Sequence, residues 1–190
     1  MLELLQYPQQ NNSEQLRQQI ITLQCLEWPA APRQQIETIT WPDNDTHKTS
    51  YVFVDNNKAI AHIAIVGKTI VQNGIEYKSF GLSEVVTHPE YRGKGIGRKL
   101  LKVVADYMEE NMPDVSLFTC KPDLVPFYEK GGWHLYGGSC LVGGTRKKPL
   151  RSDDLQLVTM MKFHSTKANK NKQDFLHTDI YLELQENKLW

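Results

Sequence analysis

Three glycines at alternate positions, Gly93, Gly95 and Gly97, follow an arginine and lead into a run with helical spacing. The stretch Val85-Val86-Thr87-His88-Pro89-Glu90-Tyr91-Arg92-Gly93-Lys94-Gly95-Ile96-Gly97-Arg98-Lys99-Leu100-Leu101 reads as four pieces. They are an apolar strand, a short turn punctuated by Pro89, a glycine-rich loop, and an amphipathic helix starting near Gly97. Glycines at that spacing let backbone N–H groups converge on one point. The helix adds four unpaired N–H groups and the positive end of its dipole, roughly half an elementary charge. Together these make a cradle for a pyrophosphate. The Walker pattern Gly-x-x-x-x-Gly-Lys-Ser/Thr is absent, and the dinucleotide fingerprint Gly-x-Gly-x-x-Gly does not match glycines at 93, 95 and 97. An ordinary strand-to-helix connection accounts for one such glycine but poorly for three in alternation.

What remains, Arg-x-x-Gly-x-Gly after a strand, resembles the coenzyme A pyrophosphate loop of the GNAT N-acetyltransferases. The resemblance implies acetyl-CoA as co-substrate, its phosphates held by Arg92, Gly93, Lys94, Gly95, Ile96 and Gly97. It further implies that the backbone of Val85, Val86 and Thr87 pairs with the pantetheine and acetyl groups. Peptide N–H groups at that strand's bulge would polarise the acetyl carbonyl. A second stretch, Pro126-Phe127-Tyr128-Glu129-Lys130-Gly131-Gly132-Trp133, resembles the Phe-Tyr-x-x-x-Gly-Phe/Trp element of the same family. Its tyrosine, here Tyr128, is implied to be the general acid that protonates the departing thiolate. A phenol of pKa about 10 suits a leaving group of similar basicity. Taken alone, Tyr128 reads as a packing residue on an amphipathic helix.

The attacking amine must be neutral, so a proton has to leave it, directly or through water. Ser83 and Glu84 precede the loop, and strand alternation sends their side chains to opposite faces, so only one can face the substrate. Glu84 is the candidate base; loss of the proton to solvent is the alternative. His62, His88 and His134 are single histidines in strands or turns, where a structural role is commoner. Cys120 follows the strand Val115–Thr119, and direct transfer needs no thiol nucleophile.

A narrower resemblance bears on the acceptor. The run Gly137–Arg146, then Ser152-Asp153-Asp154, an apolar strand and Trp190 are similar to the C-terminal half of aminoglycoside 2′-N-acetyltransferases. So are Ile60–Ala64 and Thr119–Trp133. By that resemblance Asp153 or Asp154, Trp190 and Thr119 contact the substrate; Asp43 and Asp45 are candidates from an early loop, and Ser83, a further candidate contact, stands where that subfamily carries a glutamate linked to the reacting amine. Carboxylates suit a polycation, although the same residues also read as solvated loop ends. Arg146, Lys147, Lys148 and Arg151 would oppose a polycation unless they are directed elsewhere, for instance at coenzyme A phosphates. Other acceptors under the same reaction are a polyamine, a small metabolite or a protein amine. A reading of another class is a non-catalytic acetyl-CoA-binding module, which has no need of the thiolate donor Tyr128.

These residues require a scaffold, and the chain supplies one. Asn12 to Leu26 places Leu16, Ile20, Leu23 and Leu26 at helical spacing, capped by Asn12 or Ser13 and ended by Trp28-Pro29-Ala30-Ala31-Pro32. Tyr51–Val54 and Ile60–Val66 read as strands, and Asn73-Gly74 as a hairpin turn leading to the strand Gly81–Thr87. The helix after the loop turns Leu100, Leu101, Val104, Tyr107 and Met108 to one face. Then follow a strand Val115–Thr119, a helix Leu124–Lys130 stopped by Gly131-Gly132, and a strand Trp133–Tyr136. Gly137–Asp154 reads as a long loop, Leu155–Phe163 as a strand, Ser165–Asp174 as a mobile polar segment, and Ile180–Leu184 as a final edge strand. The order is α+β in a single domain over residues 1–190. It matches the GNAT plan: a mixed, mostly antiparallel sheet with splayed central strands, flanked by helices.

Composition adds exclusions. With 22 basic and 22 acidic residues the formal charge is zero, which removes a global electrostatic case for nucleic acid or an anionic membrane. No window approaches the roughly 20 apolar residues a membrane span needs, and Met-Leu-Glu-Leu-Leu is no signal peptide. Three cysteines, odd in number and without metal spacing, imply reduced thiols in the cytoplasm. The resemblance is compatible with a homodimer, since many members pair through late strands.

Overall fold

The computed structural model describes residues 2–11, 13–28 and 48–190. Asp43 and Asp45 lie outside them. The chain divides into two compact units, Met1–Val66 with Ser83–Val104 and Gly67–Leu82 with Ala105–Trp190.

The first unit begins with β1 (Leu2–Pro8) and α1 (Glu14–Glu27), followed by β2 (Thr49–Asp55). It also holds the start of β3 (Lys58–Gln72), the end of β4 (Ile75–Thr87) and the first turns of α2 (Ile96–Glu110). Ser13, one of the two expected caps, accepts a hydrogen bond from the Leu16 N–H. β2 and β3 are antiparallel across Asn56-Asn57, whose φ values of 48° and 61° match the right-handed strand twist of a tight hairpin. Ile20, Val52, Val54 and Ala59 form a core cluster against which Leu5, Tyr7 and Leu16 pack. Full burial of each aliphatic side chain there stabilises the fold by about 1.5–3 kcal/mol. Strand β1 has no counterpart in the sequence reading. Leu5 and Tyr7 turn inward, but Leu2 and Leu4 stay exposed, so apolar residues on both faces hide the alternation.

The second unit carries β5 (Val115–Cys120), α3 (Val125–Glu129), β6 (His134–Leu135), β7 (Cys140–Thr145) and β8 (Lys148–Arg151). It continues with β9 (Val158–Phe163), α4 (Thr166–Lys170) and β10 (Asp179–Tyr181). The main strand order is β1-β2-β3-β4-β5-β9-β6, a mixed sheet in an α+β arrangement. β4 and β5 run parallel, yet they pair only at Ser79 with Val115 and Phe80 with Ser116. That short ladder is what a splayed central pair requires. On its other side β5 pairs along its whole length with β9.

Several expectations for this half are corrected. Gly137–Asp154 is not one loop: β7 and β8 form a hairpin, and β10 adds to β7 in parallel in the order β10-β7-β8. The glycines that suggested a loop serve close backbone approach instead. A Cβ at Gly143 would strike the Lys188 carbonyl, and one at Gly144 the Lys148 carbonyl. Ser165–Asp174 is ordered by its Ser165 cap on α4 and by a 3-10 turn, Lys172–Phe175, whose Phe175 is fully buried. The Phe175 ring stands edge-on to Tyr77 at 5.1 Å and to Phe163 at 5.5 Å. β9 starts at Val158 rather than Leu155, because turn bonds at Ser152–Leu157 and a left-handed Gln156 come first. Trp133 lies ahead of β6 and is wholly buried.

Candidate active site

In the first unit β4 delivers Val85, Val86 and Thr87 to a 3-10 turn, Pro89–Tyr91, which His88 caps by accepting from the Glu90 N–H at 3.3 Å. Gly93 and Gly95 then adopt φ values of 72° and 78°. A Cβ at either would meet nothing within 4 Å, so the backbone angle demands glycine here and the surrounding space stays open. Gly97 sits inside α2, which begins at Ile96, one residue earlier than the spacing indicated. Its first-turn N–H groups have no acceptor within the helix. Open space, two left-handed glycines and a helix start fit a pyrophosphate.

Arg92 is tied down beside this loop. Its Nε donates to the Thr87 carbonyl at 3.0 Å, and its guanidinium pairs with Glu27 at the end of α1 at 2.5 Å. The Lys94 ammonium lies over the Tyr91 ring, whose hydroxyl donates to Asp55 at 3.2 Å.

Glu84 occupies an unusual place on β4. Its φ is +56°, which interrupts the strand alternation assumed for Ser83 and Glu84. Its carboxylate accepts from Lys48 Nζ at 2.6 Å, Gln24 Nε2 at 2.9 Å and Gln9 Nε2 at 3.3 Å. Its backbone carbonyl lies 3.1 Å from His62 Nδ1. Burial alone would raise the carboxyl, but the Lys48 ammonium and these hydrogen bonds hold it below the usual carboxylate value. Burial pushes His62 below its ordinary value, so the imidazole is neutral at pH 7. Gln9, Gln24, Lys48 and Ser50 escaped the sequence reading. They come from distant segments, and no local spacing marks them.

In the second unit Tyr128 lies on α3, buried, with its ring edge-on to Phe118 at 4.7 Å and near Phe127. Thr119 and Trp190 are brought together: Thr119 Oγ1 donates to the Trp190 backbone oxygen at 2.9 Å. The Trp190 ring lies over Gly81, where any Cβ would collide with it. Asp153 and Asp154 part company. Arg151 grips Asp153 through two hydrogen bonds, at 3.0 and 2.9 Å, and Asp179 through two more, at 2.6 and 3.0 Å. Those bonds, with a third from the Cys140 thiol, bring Asp153 down to about 2. Asp154 remains exposed. Of the other late cations, Arg146 pairs with Glu183 and Lys148 with Glu186. Cys120 is buried and its thiol pushed up to about 11, which does not suit a thiolate nucleophile. His134 is exposed on β6.

The sequence pattern of the acetyltransferase (GNAT) domain family matches residues 10–136, and the chain belongs to that family. Members use acetyl-CoA. No curated protein matches the sequence. Among solved structures, Escherichia coli ElaA is similar with a TM-score of 0.61 at 16% identity, over 85% of this chain and 99% of that one. An aminoglycoside 6′-N-acetyltransferase complexed with coenzyme A gives 0.52 at 18% identity, over 85% and 97%. A conserved protein of unknown function from Enterococcus faecalis V583 gives 0.55 at 18% identity over 72% of this chain, which spans 33% of its length. At these identities the likeness concerns the fold. Among the described residues no helix is long and apolar enough to cross a membrane.

Proposed function

We propose that the chain transfers the acetyl group of acetyl-CoA directly to a primary amine of an aminoglycoside or amino sugar. The observation that carries this reading is the loop: left-handed Gly93 and Gly95, open space around them, and the start of α2 at Ile96. In this reading residues 92–97 hold the pyrophosphate, and the backbone of Val85, Val86 and Thr87 lines the acetylated arm. The amine nitrogen attacks the thioester carbon, the C–S bond breaks, and the thiolate takes a proton from the Tyr128 hydroxyl. Glu84 is the carboxylate assigned to the amine's proton, passing it on to water. Its lowered pKa keeps it ionised throughout the neutral range.

For the acceptor, Ser83, Thr119, Trp190, Asp153 and Asp154 are the assigned contacts, with Asp43 and Asp45 from residues outside the described ones. Neutralisation of Arg146, Lys148 and Arg151 by Glu183, Glu186, Asp153 and Asp179 supports a cationic acceptor, because the opposing charges are already engaged. The exposed Asp154 is then the freest of the late carboxylates to meet an amine.

The test is release of free coenzyme A thiol from acetyl-CoA with a panel of aminoglycosides, amino sugars, polyamines and lysine peptides. Turnover with the first two groups is expected. Turnover confined to polyamines or peptides would move the acceptor, and tight acetyl-CoA binding with no release would make the chain a binding module. Tyr128→Phe is expected to lower kcat about a hundredfold with little change in acetyl-CoA affinity; an unchanged kcat at every pH would remove Tyr128 from the chemistry.

A further inference from the structure

Glu84 is the only described residue of β4 with a positive φ, and it is not glycine. An L-residue in that region costs about 1–2 kcal/mol, so its surroundings must impose the conformation. They do so from four sides of the first unit. Gln9 follows β1, Gln24 lies on α1, Lys48 leads into β2, and His62 stands on β3. The Lys48 and Glu84 side chains are only 14% and 19% exposed, and His62 is fully buried.

With His62 neutral, the hydrogen bonds are mutually consistent in only one arrangement. Neutral His62 donates from Nδ1 to the Glu84 carbonyl, which leaves Nε2 to accept from Ser50 Oγ at 2.9 Å. Ser50 Oγ in turn accepts from Gln9 Nε2 at 3.2 Å, and the same amide reaches the Glu84 carboxylate. Both the side chain and the backbone carbonyl of Glu84 are therefore held, the first by Lys48, Gln24 and Gln9 and the second by His62. A left-handed residue within a strand turns the following peptide out of the ladder and re-aims it. Val85 and Val86 are the residues that follow it.

We infer that Lys48 and His62 are positioning residues for acetyl transfer: they pin Glu84 in its left-handed conformation and thereby aim the peptide N–H groups that follow it at the thioester carbonyl. The inference rests on the acetyl-transfer reading for its target but not for its geometry. Acid–base chemistry at Glu84 would need the carboxylate alone; the hydrogen bond from His62 Nδ1 bears on the Glu84 backbone carbonyl at 3.1 Å, while the carboxylate stands farther off at 3.9 Å.

Two measurements test it in the full-length chain. The first is the backbone conformation at Glu84, from scalar couplings and Cα chemical shifts, in the wild type, His62→Leu, His62→Asn and Lys48→Met. His62→Leu and Lys48→Met are expected to shift Glu84 toward the extended region. His62→Asn, whose amide nitrogen takes the place of Nδ1, should retain the positive φ. The second is kinetic. His62→Leu should lower kcat at least about tenfold with the KM for acetyl-CoA within about twofold, and His62→Asn should recover most of the loss. A positive φ at Glu84 in both His62→Leu and Lys48→Met overturns the inference. So does a loss of kcat that only tracks the unfolded fraction. Should His62→Leu fail to fold, Lys48→Met and His62→Asn still decide, through conformation and kcat. Wild-type chain that released no thiol with any amine would instead sink the acetyl-transfer reading, while the couplings would still report whether Glu84 is pinned.

Discussion

His164 has its charge state imposed by its surroundings, whereas Arg151 imposes one on its neighbours. Trp133 Nε1 donates to Ser116 Oγ at 2.8 Å, and the same Oγ shares a hydrogen bond with His164 Nε2, also at 2.8 Å. Burial first, with the Lys162 ammonium second, brings the imidazole down to about 4, so it is neutral at pH 7. In the unfolded chain the same group titrates near about 6.5. Its depressed native value means that stability is complete above the unfolded pKa and is lost as pH falls toward 4. Urea denaturation of His164→Gln at a series of pH values should show a flatter decline over that window than the wild type. His62, shifted in the same direction, keeps a residual slope. Arg151 works on carboxylates instead. Replacing it by methionine should let the Asp153 carboxyl climb from about 2 toward about 4, read from the carbon-13 titration of that side chain.

At the scale of elements, the glycine-rich loop admits the sharpest test of the cofactor reading. Alanine at Gly93 or Gly95 meets no obstacle but must take a left-handed backbone at a cost of about 1–2 kcal/mol. Calorimetric affinity for acetyl-CoA should fall roughly tenfold, while the KM of the amine stays within about twofold. Gly81→Ala acts elsewhere, since its methyl group would collide with the Trp190 ring. Overpacking of that kind typically costs about 1–3 kcal/mol, and it should raise the acceptor KM rather than the acetyl-CoA affinity.

The loop was legible in the sequence because its information is local: a few residues fix both the turn and the helix start. The hairpin of β7 and β8 was not, because Gly143 and Gly144 carry the composition of a loop and the function of a close packing seam. The lysines around α4 similarly masked Phe175 and Ala168, two apolar anchors in a polar run. Within the candidate site, Glu84 could be picked out from its place before the loop. Its grip by Gln9, Gln24, Lys48 and His62 could not, since it joins four separated segments through side chains that are each unremarkable in their own neighbourhood.

For the whole molecule, zero formal charge conceals an arrangement in which Arg146, Lys148 and Arg151 are each paired with carboxylates. If the acceptor is a polycation met by carboxylates, its KM should rise several-fold between 50 and 500 mM salt, because roughly 10 Å of screening length shrinks to a few ångströms over that range. A monocationic amine should respond much less, and steady-state kinetics with both acceptors at each salt concentration would separate the cases. The fold is shared with structures at 16% and 18% identity, so the common plan resides in strand order and loop geometry more than in residue identity.

The parallel pairing of β10 with β7 also sets a timetable for synthesis. Cys140 pairs with Asp179 and Val142 with Tyr181, so the strand between them in the order β10-β7-β8 stays half-paired until the later segment has left the ribosome. Every residue of the first unit, by contrast, stands at Val104 or earlier in the chain. Arrested nascent chains released after Val104 should already bury Ile20 and Val52 against protease, whereas β7 becomes protected only once Tyr181 has emerged, a delay of the kind that long-range strand pairing imposes.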